Sequence, residues 1–416
     1  MSTTLKIDGA TLAGEDGYWS IAMVGDKITT VARHLETTAQ EEVFKAEGRL
    51  VIPGLVDGHL HLDKALLLAQ HPAQTGTFQE ALVETGRLKQ RFTLDDIQSR
   101  ARRVIENEIA FGTTLMRSHV EVDLMLQLTA MEALLPLKRE YAWGLTLQLA
   151  VFAQEGITNQ PGTRALLRRA MAMGGDVIGS APYVDPNPED NIRIVFDLAE
   201  EFGCDVDFHL DFLDDDSPLL LPRVVAETLK RGWQGRVCLG HMTKLAGLTP
   251  WALKEIAAML RDGGISVLAL PATDLYMMGR RDTHNVRRGV APIHQLMDWG
   301  VTVGVATNNV QNLFTPFGDG DVLKICTLIA QTLQLGTVYS HKQCLEMATT
   351  QAAHAIGVGD YGIAPGRVAD LVIIDAKSVS EAVGMAPVGR TTIKGGKIVA
   401  QTQVRRELGV VGSGVS

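Results

Sequence analysis

Three textures of hydrophobic and polar residues follow one another along the chain. From residue 3 to about 50, short alternating runs are broken by turns. LKIDGATL, YWSIAMVGDKITTVA and VFKAEGRLV read as strands, with Gly25-Asp26 and Glu47-Gly48 as turn signals. The same texture returns near the other end, where Arg367–Asp375 reads as a strand and Thr392–Val399 as a hairpin around Gly395-Gly396. Each piece alone would expose strand edges and an apolar face, and pairing the two hides both. The expectation is one small β-sandwich built from both termini, residues 1–54 plus 363–405.

Between these pieces, apolar runs alternate with helix-periodic segments. Strand candidates are Leu115–Val122, Leu145–Ala153, Asp176–Ala181, Asp205–Asp211, Arg236–His241, Ile265–Ala272 and Val301–Ala306, and the apolar run beginning at Val51 makes eight. Leu94–Ala110, Ala165–Met173, Asn191–Phe202, Leu221–Arg231, Trp251–Asp262 and Val290–Trp299 read as helices. Eight β-α units in this span predict a (β/α)8 barrel over residues 55–362, with its chemistry on the loops that follow the strands. The closing GVVGSGVS reads as a loose tail.

Composition narrows the class of protein. The 416 residues are 46% hydrophobic and 21% charged, with a formal net charge of −9. Lys and Arg form no stripe, which argues against nucleic acid. No apolar run reaches the length of a membrane span, and the start carries no secretory pattern. The four cysteines are dispersed and make no C-x-x-C pair, as in a reducing cytoplasm. A cytoplasmic protein is expected, and the partners expected for it are a small molecule and further copies of itself as a homo-oligomer.

Candidate chemistry begins in VIPGLVDGHLHLDK, Val51–Lys64. His59 and His61 are two apart, so an extended strand turns both imidazoles to one side, as a metal ion needs. Other polar residues fall just after apolar runs: Arg117 and His119 in MRSHVEV, Gln154 after VFA, His209 in VDFHLDF, His241 in VCLGHMTK, and Asn308 and Asn309 in VGVATNN. Five of the eleven histidines thus share one predicted rim. His34, His71, His284, His294, His341 and His354 read as ordinary, although the loop of His284 also carries Arg280 and Asp282. Zn2+ or Fe2+ held by two or three imidazoles acidifies water, and the resulting nucleophile attacks an sp2 carbon while a base and an acid manage protons. Asp57, Asp63 and Asp211 are placed to orient ligands.

These segments, together with MGRRDTHNVRRG, NNVQNLFTPFGDGD, YGIAPGRVADLVIID and KGGKIVA, resemble the amidohydrolase superfamily. The likeness is to the branch that holds cytosine deaminase and N-isopropylammelide amidohydrolase. It implies one divalent ion on His59, His61 and His209. It makes His241 the activator of water or substrate, and Gln154 and Phe314 contacts of the substrate. Lys64 and Asn309 are added to the expected pocket, with Asp211 as a proton relay. The implied reaction is hydrolysis of a non-peptide C–N bond in a small nitrogen heterocycle or cyclic amidine.

Two residues depart from that pattern. Asn308 stands where the branch has an aspartate that binds the metal and takes a proton, and an amide cannot take it. Phe212 stands where cytosine deaminase has a proton-shuttling glutamate, with Asp211 and Asp214 as neighbouring substitutes. The alternative reading is therefore a protein of this fold that binds a metal or heterocycle without deaminating it.

Overall fold

A computed structural model describes residues 4–37, 42–212 and 215–409. Asp214 and the end of the expected tail lie outside the described residues.

The two termini share one sheet. The first strand, Thr4–Leu12, pairs antiparallel with Trp19–Val24, which pairs with Lys27–Ala32. The same first strand runs parallel to Glu42–Lys45 along its first half and to Leu50–Pro53 at its end. Leu50–Pro53 then takes Leu371–Ile374 from the far end of the chain, followed by Arg390–Lys394 and Lys397–Thr402. The last turn is Gly395-Gly396, both at positive φ, as a two-residue hairpin requires. Ile7, Ile21, Met23, Leu371, Ile373 and Ile393 fill the interior.

The remaining strands make the barrel in simple sequence order and are numbered 1 to 8 within it: Leu55–Leu60, Thr113–Glu121, Thr146–Ala153, Val177–Ser180, Asp205–Leu210, Val237–His241, Ile265–Ala269 and Val303–Val305. All neighbours are parallel, with helices between them. The ring closes between its first and last strands through a Leu60–Asn308 bridge. There Asn308 N donates to His59 O at 2.8 Å and His61 N donates to Asn308 O at 3.0 Å. Barrel closure and the histidine motif are therefore the same place. The expected architecture, a barrel with a terminal β unit, is the observed one.

Two elements differ from the sequence reading. The run beginning at Val51 is two strands, one for each sheet, divided at Gly54. A Cβ at Gly54 would lie 2.2 Å from Thr114 Oγ1 and 2.8 Å from the Tyr361 hydroxyl, so the chain crosses between sheets where only glycine fits. The helix expected over Val290–Trp299 forms only as Ile293–Asp298. Pro292 disfavours helical backbone in the residue before it, which delays the start.

Buried charge joins the parts. Arg390 of the terminal sheet grips Asp321 of the barrel in a two-pronged ion pair at 2.6 and 2.8 Å, with both side chains fully buried. Beneath the site, Asp57 accepts from the backbone N and the hydroxyl of Thr307, which fixes strand 8 against strand 1. Among the described residues, no helix is long and apolar enough to cross a membrane.

Candidate active site

The barrel strands end in backbone that L-residues seldom adopt. Asp211, His241, Met242 and Asn308 all have positive φ, between 46° and 74°. Non-glycine residues pay for that conformation, and it persists where the surrounding structure enforces it, often at working sites. Here it ends strands 5, 6 and 8 abruptly, so their last side chains turn over one opening.

Under that opening lies a knot of imidazoles. His59 Nε2 is 3.0 Å and His61 Nε2 is 3.1 Å from His209 Nε2. His59 comes from strand 1 and His209 from strand 5, while His61 lies just past strand 1 at the start of a short turn of helix. All three rings are buried, and burial, with charge on their neighbours, holds each well below the usual histidine range. They are therefore neutral rings with lone pairs to offer. Their Nδ1 atoms make no hydrogen bond within the protein, and Asp207 Oδ1 stands 3.9 Å from that of His59. Nitrogens that each stand about 2.0–2.1 Å from one zinc are roughly 3.0–3.4 Å apart, so the two spacings to His209 fit ligands of a shared divalent ion. His119 packs behind them, its ring 3.9 Å from that of His59, with Nε2 at 3.2 Å from Asp207 Oδ1. One ring nitrogen each of His59, His119 and His209 also lies within 4.8 Å of the other two, so these three form a second possible ligand set. Arg117 holds Asp207 from the other side at 2.8 Å.

His241, at the end of strand 6, is set differently. Its Nδ1 lies 2.7 Å from Asp274 Oδ1, and Asp274 Oδ2 accepts from Leu270 N at 3.1 Å. A carboxylate only accepts, so Nδ1 is the donor in that contact and Nε2 takes no part in it. Asp274 is fully buried, which pushes its carboxyl up, while His241 pulls it back. The Phe212 ring covers His241 at 4.2 Å.

A narrow cleft of about 20 Å³ opens onto these groups. His61, His209, His241, Asn308 and Asn309 form its polar floor, with Lys64, Gln154 and Thr273 beside them. Phe78, Tyr183, Phe212 and Phe314 form an aromatic wall. Phe78 is the first residue of the helix Phe78–Lys89, which packs across the mouth with Phe212, Phe314 and Met277. Lys64 Nζ lies 2.9 Å from Glu121 Oε2 and over the Phe152 ring. Burial alone would raise the Glu121 carboxyl, but Lys64 and then Lys89 outweigh it and hold it at about 2. Glu121, Asp123 and Glu155 form a second acidic group, which Lys89 bridges by contacting all three and Lys64 joins at Glu121.

The structure thus brings His59, His61, His209, His241, Asn308, Asn309, Gln154, Phe314 and Lys64 into one region. It does not bring Asp211 there. Asp211 does not line the cleft, and both its oxygens accept from backbone N–H groups, of Leu220 at 2.9 Å and Leu221 at 3.2 Å. Those are the unsatisfied donors at the start of helix Leu221–Arg231, so the expected proton relay is instead a helix-end acceptor. Asp57 lies below the floor, and Asp63 accepts from Glu121 N at 2.9 Å. His284 is exposed and bonds its neighbour Thr283. Sequence reasoning missed Thr273, Asp274, Phe78 and Tyr183. The first two follow the strand 7 run in LALPATD, so the strand-end rule applied to that strand would have found them.

The Amidohydrolase family profile matches residues 67–400. N-isopropylammelide isopropyl amidohydrolase of Pseudomonas sp. (strain ADP) is 28% identical over 414 residues, covering 96% of this chain and 98% of that protein. The pterin deaminase of Rhizobium rhizogenes is 27% identical over 368 residues, covering 87% and 84%. Among solved structures, 5-methylcytosine deaminase from Klebsiella pneumoniae, liganded with 5-fluorocytosine, superposes with a TM-score of 0.90 at 30% identity, covering 97% of this chain and 99% of that one.

Proposed function

The chain belongs to the amidohydrolase family, and we propose that it hydrolyses an exocyclic C–N bond of a small nitrogen heterocycle, releasing ammonia or an amine. The observation that carries this reading is the approach of His59 Nε2 and His61 Nε2 to His209 Nε2, at 3.0 and 3.1 Å, beside a histidine backed by a carboxylate. His59, His61 and His209 would hold one divalent ion, Zn2+ or Fe2+. When bound, such an ion supplies an acidified water as nucleophile and draws electrons from the carbon under attack.

The remaining work falls to this chain's own side chains. His241, with Nδ1 committed to Asp274, has Nε2 free to take a proton from water and return it to the departing nitrogen. The balance is simple: water adds to the ring carbon, the C–N bond breaks, and the nitrogen leaves with one more proton than it had. Gln154 and Asn309 offer amide donors and acceptors to ring nitrogens and carbonyls, and Lys64 offers a fixed positive charge. Phe78, Phe212, Phe314 and Tyr183 exclude water and give a flat ring an apolar face. The relatives named for ammelide, pterin and methylcytosine chemistry support a heterocycle as the class.

The test is metal analysis of the purified protein together with a panel of amino- and alkylamino-substituted pyrimidines, triazines and pterins, followed by ammonia or amine release. About one ion per chain with turnover of at least one member is expected. Tight binding of panel members with no product from any would favour a protein that binds without turnover, the reading that Asn308 motivates.

A further inference from the structure

Asn308 poses a problem that a carboxylate at this place would not. An amide has two different ends, and only its oxygen suits a cation. Its backbone is pinned between His59 and His61 by two hydrogen bonds, so the residue cannot move away from the imidazoles. The side chain is 2% exposed and lines the cleft. Everything rests on which way the amide is turned.

The hydrogen-bond directions settle that turn, starting from the backbone. Phe314 N and Thr315 N both donate to Asn312 Oδ1, at 2.9 and 3.0 Å. A backbone N–H can only donate, so that atom is the oxygen, and Asn312 Nδ2 is left to donate to Asn309 Oδ1 at 2.6 Å. Asn309 therefore presents its own Nδ2 to Thr273 Oγ1, at 3.3 Å. The same Thr273 oxygen receives Asn308 Nδ2 at 2.9 Å. With both lone pairs of Thr273 taken, its O–H goes to Thr315 Oγ1, at 2.5 Å. Asn308 Oδ1 is left buried with no partner in the protein. A buried carbonyl oxygen without a donor is costly unless something positive or hydrogen-bearing meets it.

We infer that Thr273 is a positioning residue that turns the Asn308 amide oxygen towards the three-histidine centre, making it a neutral oxygen donor to the ion held there. This rests on the proposed metal site and deepens it. The opposite turn would aim an NH2 group at a cation, which is repulsive, and would need Thr273 to donate where it now accepts. Threonine at 273 has a consequence a carboxylate at 308 would not demand: it acts as the acceptor that holds the NH2 end away. A neutral fourth donor also leaves the ion's charge less compensated than a carboxylate would, which makes ion binding weaker and its water more acidic.

The experiment measures Zn2+ and Co2+ affinity of the full chain by competition with a chromophoric chelator. Wild type is compared with Thr273→Val, which keeps shape but loses the acceptor, and with Thr273→Ser, which keeps it. Loss of an outer partner of a metal ligand typically costs about 10–100-fold in affinity. That loss is expected for valine, with serine binding as wild type does. A folded Thr273→Val that binds the ions as tightly as wild type would overturn the inference while leaving the three-histidine site standing. A wild type that binds neither ion would remove the site itself, and the inference with it. Should the valine variant fail to fold, a zinc-soaked crystal of wild type decides. Asn308 Oδ1 within bonding distance of the ion and Nδ2 on Thr273 supports the assignment, and an amide turned away from the ion refutes it.

Discussion

Replacing Asn308 by aspartate changes one NH2 group to oxygen at nearly constant volume, yet should change the sign of its effect with the metal. Without an ion, the variant buries a carboxylate at a site 2% exposed, where Thr273 is the one side-chain partner of the native amide. Leaving a charged acceptor so poorly satisfied costs about 1–3 kcal/mol or more, so the metal-free variant should melt below wild type. With an ion bound, the same carboxylate meets a cation. Each tenfold gain in affinity adds about 1.4 kcal/mol to the stability of the loaded protein when the ion is in excess. The loaded variant should therefore melt above loaded wild type. The carboxylate also restores a proton acceptor, and general base catalysis is worth about 10²–10⁴-fold, so hydrolysis of a heterocycle that fits should rise. Thermal melts in chelator and in excess Zn2+, with ammonia release measured on one panel, test all three outcomes. A variant destabilised equally with and without the ion would show that residue 308 does not face it. A wild type already fast, with the aspartate form slower, would show that the amide belongs to a working mechanism of its own.

Three further outcomes follow from the same geometry. His59→Ala should lose most of the bound ion and its activity, read by metal analysis, and full metal content in a folded His59→Ala/His61→Ala double variant would refute the ligand set. In Asp274→Asn, Leu270 N claims the amide oxygen and turns the NH2 towards His241 Nδ1, which reverses the tautomer, so kcat should fall by about 10²–10⁴-fold with KM little changed, and steady-state kinetics showing a wild-type kcat would exclude His241 as base. Glu108 is buried, and burial followed by the neighbouring Asp57 carboxylate raises its pKa well above the ordinary value. A raised carboxyl favours folding at low pH and withdraws that support as pH rises past the unfolded value. Wild type should therefore lose about 1.4 kcal/mol per pH unit relative to Glu108→Gln over that rise, and urea melts at pH 5, 6 and 7 showing a constant difference would contradict it.

The sequence was most legible where one local rule decides the outcome. Barrel strands carry long apolar runs, and His59, His209 and His241 each sit where such a run ends, so their place on one rim follows from the fold. The twofold spacing of His59 and His61 brings both rings to His209, although His61 is already past the strand, at the cap of a turn of helix. Asp211 misled for a related reason. It follows its strand like the others, but its carboxylate is drawn to the open N–H groups of the next helix, a competition between a site and a helix end that spacing does not reveal. Thr273, Asp274 and Phe78 reach the site from loops and short helices. Their contacts depend on how the segments after strands 1 and 7 fold back, which no periodicity records. The division at Gly54 was equally hidden, since both strands it separates are apolar and β-branched.

The distribution of charge around the cleft bears on which substrates the site can prefer. Every carboxylate near the centre stands one layer back and is already engaged: Asp207 with Arg117, Asp274 with His241, Glu121 with Lys64. Among the described residues none of them lines the cleft, and the position where the resemblance expects an acid holds an amide. The lining therefore carries no anion, and its one cation, Lys64, is already balanced by Glu121. A divalent ion adds two further positive charges in a setting sheltered from water by Phe78, Phe212 and Phe314, where like charges repel more strongly than in solvent. A protonated cyclic amidine would bring one more positive charge into that space with no acid to meet it. A neutral oxo-heterocycle, or one that loses a ring proton on binding, brings acceptor oxygens to Lys64 and apolar faces to the aromatic wall. The charge layout therefore favours the heterocycle over the cationic amidine.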